Sequence, residues 1–207
     1  MSAKPRVAVL ISGRGSNMQA LIEAAQDQKY PAEIALVLSN KPDAAGLEIA
    51  RGFGITALAV PAKLFGKDRE AHERALHAVL QDQKIEIVCL AGYMRILTPW
   101  LVGNWSGRML NIHPSLLPAY KGLDTHARVL AAGETRHGCT VHLVTEGMDE
   151  GPILAQAEVP VLADDTEDAL AARVLEQEHL LYPATLAKLA SEVKASFCEQ
   201  KEAKKLY

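Results

Sequence analysis

The segment from Arg6 to Asn17 limits the fold more than any other: RVAVLI leads directly into Ser12-Gly13-Arg14-Gly15-Ser16-Asn17. The first six residues are rich in β-branched side chains and read as a buried strand. The glycines permit a tight turn, and the stretch from Met18 to Gln26 carries apolar residues at helical spacing. Strand, Gly-rich turn and helix in that order begin a parallel α/β sheet, which must be covered on both faces.

The alternation continues. Ile34 to Leu38 and Ala57 to Val60 read as the next strands, with a helix over 44–53 ending near Gly54, and residues 68–81 have helical apolar spacing. Ile85 to Leu90 and Met109 to Ile112 are almost continuously apolar, as buried parallel strands are. Cys139 to Val144 and Ile153 to Val159 alternate instead and predict an antiparallel pair, followed by a long helix from Thr166 to Leu181 that Pro183 should interrupt. The expected architecture is a single-domain, doubly wound α/β fold with a mostly parallel, Rossmann-like sheet and an antiparallel C-terminal extension. The domain is expected over residues 1–190, with a charged, peripheral tail at 191–207.

At 207 residues, 49% of them hydrophobic, the chain can bury a substantial core. Its net charge of -3 gives no basic excess of the kind a nucleic-acid groove needs. Cys89, Cys139 and Cys198 lack metal or redox spacing, the N-terminus has no apolar signal stretch, and no run is long enough to cross a bilayer. Cytoplasmic residence, no membrane or nucleic-acid partner, and a monomer or weak homodimer are the expectations.

Three places carry candidate chemistry. In the turn after the first strand, Ser16 or Asn17 can cap the helix starting near Met18, and N–H groups converge at its positive end, suiting an anion. A dinucleotide fingerprint would need a third glycine at Met18 and an acidic residue where Ser39-Asn40 stand, so one phosphate monoester fits better. A well-capped structural turn is the plainer alternative. Leu90 to Leu97, L-A-G-Y-M-R-I-L, lies beyond a strand end, where Met94 and Arg95 can line a wall for a flat heterocycle or simply pack. The third place is Asn111-Ile112-His113-Pro114 together with Asp149 in the turn T-E-G-M-D-E-G-P. Residues two apart on a strand point the same way, so the Asn111 amide can donate to an oxyanion beside His113. A free imidazole titrates near about 6.5, and a carboxylate beside it favours the charged form, so Asp149 is expected to raise the His113 pKa and keep it a proton donor. That set suits acyl-group chemistry.

Other polar residues read more plainly. His126, His137 and His142 raise the local histidine density without metal-ligand spacing, so no metal is expected. Cys139 reads as a buried thiol, and Glu176, Glu178 and His179 as a solvated helix face.

V-L-I-S-G-R-G-S-N, L-A-G-Y-M-R-I-L, N-I-H-P-S-L-L-P-A-Y-K-G, H-G-C-T-V-H, D-E-G-P and Q-E-H-L-L-Y-P occur in order between about Arg6 and Pro183. In these motifs the chain resembles the phosphoribosylglycinamide formyltransferases, a folate-dependent family of purine biosynthesis. The resemblance implies formyl transfer from 10-formyltetrahydrofolate to the amine of glycinamide ribonucleotide. It implies catalysis by Asn111, His113 and Asp149, phosphate binding by Gly15, Ser16 and Asn17, and ribose binding by Glu178. Folate contacts are implied for Arg69, Met94, Arg95, Ile96, Leu97, Asn111, Thr145, Glu146, Gly147, Met148 and Asp149. No metal is implied. A formyltetrahydrofolate deformylase would use a similar Asn, His and Asp set but normally carries an N-terminal regulatory domain. A methionyl-tRNA formyltransferase would need a C-terminal RNA-binding domain, and a non-enzymatic binder would have no use for the histidine and carboxylate.

Overall fold

A computed structural model describes residues 4–203, with side chains described through residue 195. Seven strands form one sheet: β1 (Arg6–Ile11), β2 (Glu33–Ser39), β3 (Thr56–Ala59), β4 (Ile87–Leu90), β5 (Met109–His113), β6 (Arg136–Leu143) and β7 (Ile153–Pro160). Their spatial order is β3-β2-β1-β4-β5-β6-β7. The first five strands are parallel, and β6 and β7 pair antiparallel, as the switch from continuous to alternating apolar pattern predicts. The helices are α1 (Ser16–Ala25), α2 (Ala45–Gly52), α3 (Arg69–Asp82), α4 (Pro99–Asn104), α5 (Thr125–Ala131) and α6 (Glu167–Ala203).

The two-residue period of β1 sorts its side chains between two cores. Val7, Val9 and Ile11 meet Met18, Leu21 and Ile22 of α1, Leu47 of α2 and Leu170, Val174 and Leu186 of α6. Ala8 and Leu10 share the opposite face with Leu36 and Leu38 of β2, Leu76 and Leu80 of α3 and Leu101 of α4. Each fully buried leucine contributes about 2 kcal/mol relative to exposure, so helices on both faces hold the sheet.

Two expectations need correction. Pro183 does not interrupt the last helix, because α6 continues through it to Ala203. A helical proline costs about 3 kcal/mol. The neighbouring Tyr182, Leu186 and Ala190 are completely buried, and Tyr30 Oη donates to Pro183 O at 2.7 Å, so packing outweighs the lost backbone bond. Helix α1 starts at Ser16 rather than near Met18, and neither Ser16 nor Asn17 caps it. Gly15, at φ +79°, takes the cap position, since its left-handed backbone lets the helix begin earlier. Helices α4 and α5, of 6 and 7 residues, are too short for helical periodicity to reveal. Of the expected tail, residues 204–207 and the Cys198 side chain lie outside the described residues.

Gly138 in β6 has no room for a side chain. An added Cβ would overlap the Ala157 carbonyl oxygen of β7 and approach Leu116 Cδ2 to 2.8 Å. Gly138→Ala is therefore expected to lower unfolding free energy by about 2–3 kcal/mol through overpacking, read from the midpoint of a urea transition. A midpoint equal to the parent's would contradict this packing.

Candidate active site

Strand β1 is flanked by β2 and β4, so the crossovers on its two sides run in opposite directions, and the carboxyl ends of β1 and β4 open a crevice. The three candidate segments emerge there: the turn after β1, the wall after β4 and the end of β5. In the turn, Gln19 makes the first helical bond, to Gly15 O at 2.9 Å, leaving the earlier N–H groups of α1 free of helical acceptors. An anion at this end meets those groups and the helix dipole. Gly15 is required twice over, for its positive φ and because a Cβ would sit 3.2 Å from Gly46 Cα.

Asn17 turns its side chain across to α6, where its Nδ2 donates to Glu178 Oε2 at 2.7 Å. Asn17 Oδ1 is buried without a partner. Glu178 is 6% exposed, and burial pushes its carboxyl up despite the Asn17 donor. This overturns its reading as part of a solvated face: charge on a helix does not reveal which side faces the protein. A buried carboxylate and an unmatched amide oxygen beside an anion turn supply acceptors for ligand hydroxyls.

The β5–β6 register builds the candidate catalytic cluster. Asn111 pairs opposite His142, with Asn111 Nδ2 3.2 Å from His142 Nε2, and His142 Nδ1 donates to Leu143 O at 2.9 Å. Asp149 stands between the two histidines, with Oδ1 3.7 Å from His142 Nε2 and Oδ2 3.5 Å from His113 Nδ1. The Gly122 N–H donates to Asp149 Oδ2 at 2.9 Å. Burial pushes the Asp149 carboxyl up, but the facing His142 ring, the Gly122 N–H and the His113 charge outweigh it and hold the group below its ordinary value. His113, 5% exposed, donates from Nε2 to Tyr120 O at 3.0 Å. Both its nitrogens thus face acceptors, so a ring carrying two protons leaves neither acceptor unmatched. In this arrangement Tyr120 O holds the nitrogen that could reach a substrate, and His113 must release it to act there.

His142 is the site residue that sequence reasoning missed. The available signal was register: the alternating run C-T-V-H-L-V, laid antiparallel against N-I-H, places His142 beside Asn111. His126 and His137 form a second pair, Nδ1 to Nε2 at 3.0 Å, with one nitrogen donating and the other accepting. Burial, then His126 and His113, push His137 down to about 4. Among the described residues, no group of three or more His, Cys, Asp or Glu could hold a metal ion. Cys139 is fully buried and its thiol is pushed up to about 12 by burial, so it is no nucleophile.

The wall after β4 is exposed where packing would have buried it: Met94 is 68% and Ile96 65% exposed, and Arg95 and Leu97 are half-buried. Arg69 Nη1 reaches toward Ile96 O at 3.5 Å. One turn along α3, buried Glu73 accepts the Thr98 N–H at 2.9 Å and the Thr98 hydroxyl, fixing the wall's far end. Thr145, Glu146, Gly147 and Met148 form the turn into Asp149, with Met148 59% exposed. A cleft of about 160 Å³ runs beneath it, lined by Leu117, Pro118, Lys121, Asp149, Glu150 and Ile153. A larger hollow of about 440 Å³ lies at the amino ends of the strands, between Ile22, Ala25, Phe53 and Ile55. It lacks an acid/base cluster and is remote from the crevice.

The chain matches the formyl transferase family over residues 5–186. It is 48% identical over 181 residues to the phosphoribosylglycinamide formyltransferase of Escherichia coli (strain K12), covering 87% of this chain and 85% of that protein. It is also 48% identical over 190 residues to the trifunctional purine biosynthetic protein adenosine-3 of Drosophila melanogaster. That alignment covers 91% of this chain but spans only 14% of the longer protein. The crystal structure of a phosphoribosylglycinamide formyltransferase from Brucella melitensis superposes with a TM-score of 0.87 at 55% identity, covering 91% of this chain and 96% of that one. The seven-stranded sheet and the match along nearly the whole chain agree: the protein belongs to the formyl transferase family, in its phosphoribosylglycinamide formyltransferase group.

Proposed function

We propose that the protein transfers the formyl group of 10-formyltetrahydrofolate to the amine of glycinamide ribonucleotide, N1-(5-phospho-D-ribosyl)glycinamide. The products are formylglycinamide ribonucleotide and tetrahydrofolate, in the de novo route to IMP. The observation that carries the reading is the cluster Asn111, His142, Asp149 and His113, set between an anion turn and an exposed apolar wall.

In this reading the phosphate sits on the N–H groups of Gly15, Ser16 and Asn17, and the ribose hydroxyls meet Glu178 and the free Asn17 Oδ1. The folate lies against Met94, Arg95, Ile96 and Leu97, with Arg69 at its outer edge and Thr145 through Asp149 closing over it. The uncharged amine attacks the formyl carbon, and the tetrahedral oxyanion is held by the Asn111 amide and protonated His113. The Asp149 carboxylate stabilises positive charge on that ring. Collapse breaks the bond to N10, which gains a proton as the attacking nitrogen loses one, with His113 or an ordered water as carrier. Much of the acceleration comes from holding donor and acceptor in one crevice. No metal or redox cofactor takes part.

The reaction is tested by incubating purified protein with 10-formyltetrahydrofolate, with and without glycinamide ribonucleotide, and identifying products by mass. Formyl transfer only when the amine is present is expected; formate released in its absence would mark a deformylase instead. His113→Ala and Asp149→Ala should each lower kcat by about a hundredfold or more while leaving the dissociation constant of glycinamide ribonucleotide nearly unchanged. Asn111→Ala should cost about 10²–10³ in kcat. Because Asp149 is held below its ordinary value, its carboxylate stays ionised from weakly acidic to basic pH. Asp149→Asn should therefore depress kcat most at neutral to basic pH and less near about pH 5, where an imidazole gains its proton without help from a carboxylate. A defect as large at the acid end as at neutral pH would contradict the assignment.

A further inference from the structure

Ser12 lies between the two halves of the crevice, at the start of the anion turn and beside the wall. It is the first residue after β1 and only 5% exposed. Its hydroxyl donates to Asn40 Oδ1 at 2.6 Å and accepts the Met94 N–H at 2.8 Å. Its own N–H donates to Gly92 O at 3.1 Å. A serine hydroxyl has one proton, so with that proton on Asn40 its lone pairs are free for Met94. On the other side, the chain passes straight into the anion turn. Gly13 O accepts the Gly46 N–H at 3.1 Å, and a Cβ on Gly46 would lie 2.5 Å from Ile11 Cδ1 and 3.2 Å from Gly13 O. Gly46 of α2 thus packs closely against Ile11 and the backbone of the turn, so the turn and Ser12 share one frame.

Met94 depends on this contact. It follows Gly92, whose φ of +69° swings the chain out of the sheet, and its side chain is 68% exposed, so little packing fixes it. The Ser12 hydroxyl, the Ser12–Gly92 backbone bond and the Ala91 N–H donated to Leu10 O at 2.9 Å tie this start of the wall to β1, and of these only the hydroxyl reaches Met94 itself. We propose that Ser12 is a positioning residue that couples the two ligand sites: occupancy of the anion turn orders Met94 through the Ser12 hydroxyl, so the phosphorylated amine strengthens binding of the reduced folate, and the folate strengthens binding of the amine to the same degree. The inference rests on the formyl-transfer reading given above. It concerns how the sites communicate and adds no group to the chemical step.

The test uses tetrahydrofolate, which carries no formyl group and so forms a ternary complex that does not react. Its dissociation constant is measured by calorimetry with and without saturating glycinamide ribonucleotide, for the full chain and for Ser12→Ala and Ser12→Thr. The parent should bind tetrahydrofolate about fivefold or more tightly when the amine is present. Ser12→Ala should bring that ratio close to one while keeping its affinity for glycinamide ribonucleotide alone, and Ser12→Thr, which retains the hydroxyl, should keep the parent ratio. A parent ratio of one, or an unchanged ratio in Ser12→Ala, overturns the proposal. A second readout needs no substitution: amide exchange at Met94 should slow when glycinamide ribonucleotide alone is added to the parent chain, and unchanged exchange there overturns the coupling. Failure of the parent to bind either ligand is a different result, which overturns the functional reading itself.

Discussion

The pairing of β6 with β5 decides the geometry of the site, because it sets Asn111 opposite His142 and His113 opposite Thr140. A slip of one residue would put a neighbour from the other face beside Asn111 and turn His142 into the opposite core. The register is held from both sides. Thr140 Oγ1 donates to Ser115 O at 2.6 Å and accepts the Leu117 N–H at 3.0 Å, which locks β6 to the loop leaving His113. Gly138 lets β7 approach closely. A local choice of small and hydroxyl-bearing residues thus sets the spacing of two imidazoles and an amide.

Asp149 is brought to this frame by loops, and the loops carry backbone strain. Tyr120, Asp124 and Asp149 all have φ between +54° and +55°, a conformation that side chains other than glycine adopt at a cost of about 1–3 kcal/mol each. Specific contacts hold them there. Arg128 Nη1 donates to Lys121 O at 2.7 Å and to Leu123 O at 3.2 Å, the Gly122 N–H binds Asp149, and Lys121 Nζ meets Glu150 Oε1 at 2.8 Å. The last pair is exposed and contributes little by itself. Most of the restraint comes from backbone carbonyls and the buried carboxylate, which ties the two loops to the two histidines.

The strand and helix order was readable because apolar runs, glycines and caps act locally. Asp68, for example, accepts the Ala71 N–H at 2.9 Å as the cap of α3, close to where periodicity starts that helix. That Asn111, His113 and Asp149 lie near one another was readable for a related reason, since each sits at a strand end or glycine-flanked turn. What stayed hidden is what depends on tertiary direction. Glu178 looks like an ordinary helix charge until α6 is laid across α1, and His142 looks like one histidine among several until the strands are paired. Pro183 carries a strong local signal for a break, which burial of its neighbours overrides. The engagement of His113 with Tyr120 O depends on a loop whose path no local pattern specifies.

Tyr182 lies one helical turn beyond Glu178 and is wholly buried. Its hydroxyl makes a bifurcated donation to Leu90 O at 3.0 Å and Leu110 O at 3.2 Å, on the adjacent strands β4 and β5. One phenol therefore pins the last helix to the two strands that lead into the wall and into Asn111. The span from the Glu178 carboxylate to the strand ends is set like the jaw of a fixed-gap caliper, while adaptation to ligands falls to the loops above it. A molecule bridging the crevice would be measured against that gap: a linker too long or too short would have to distort itself, since the sheet and helix offer no hinge between them.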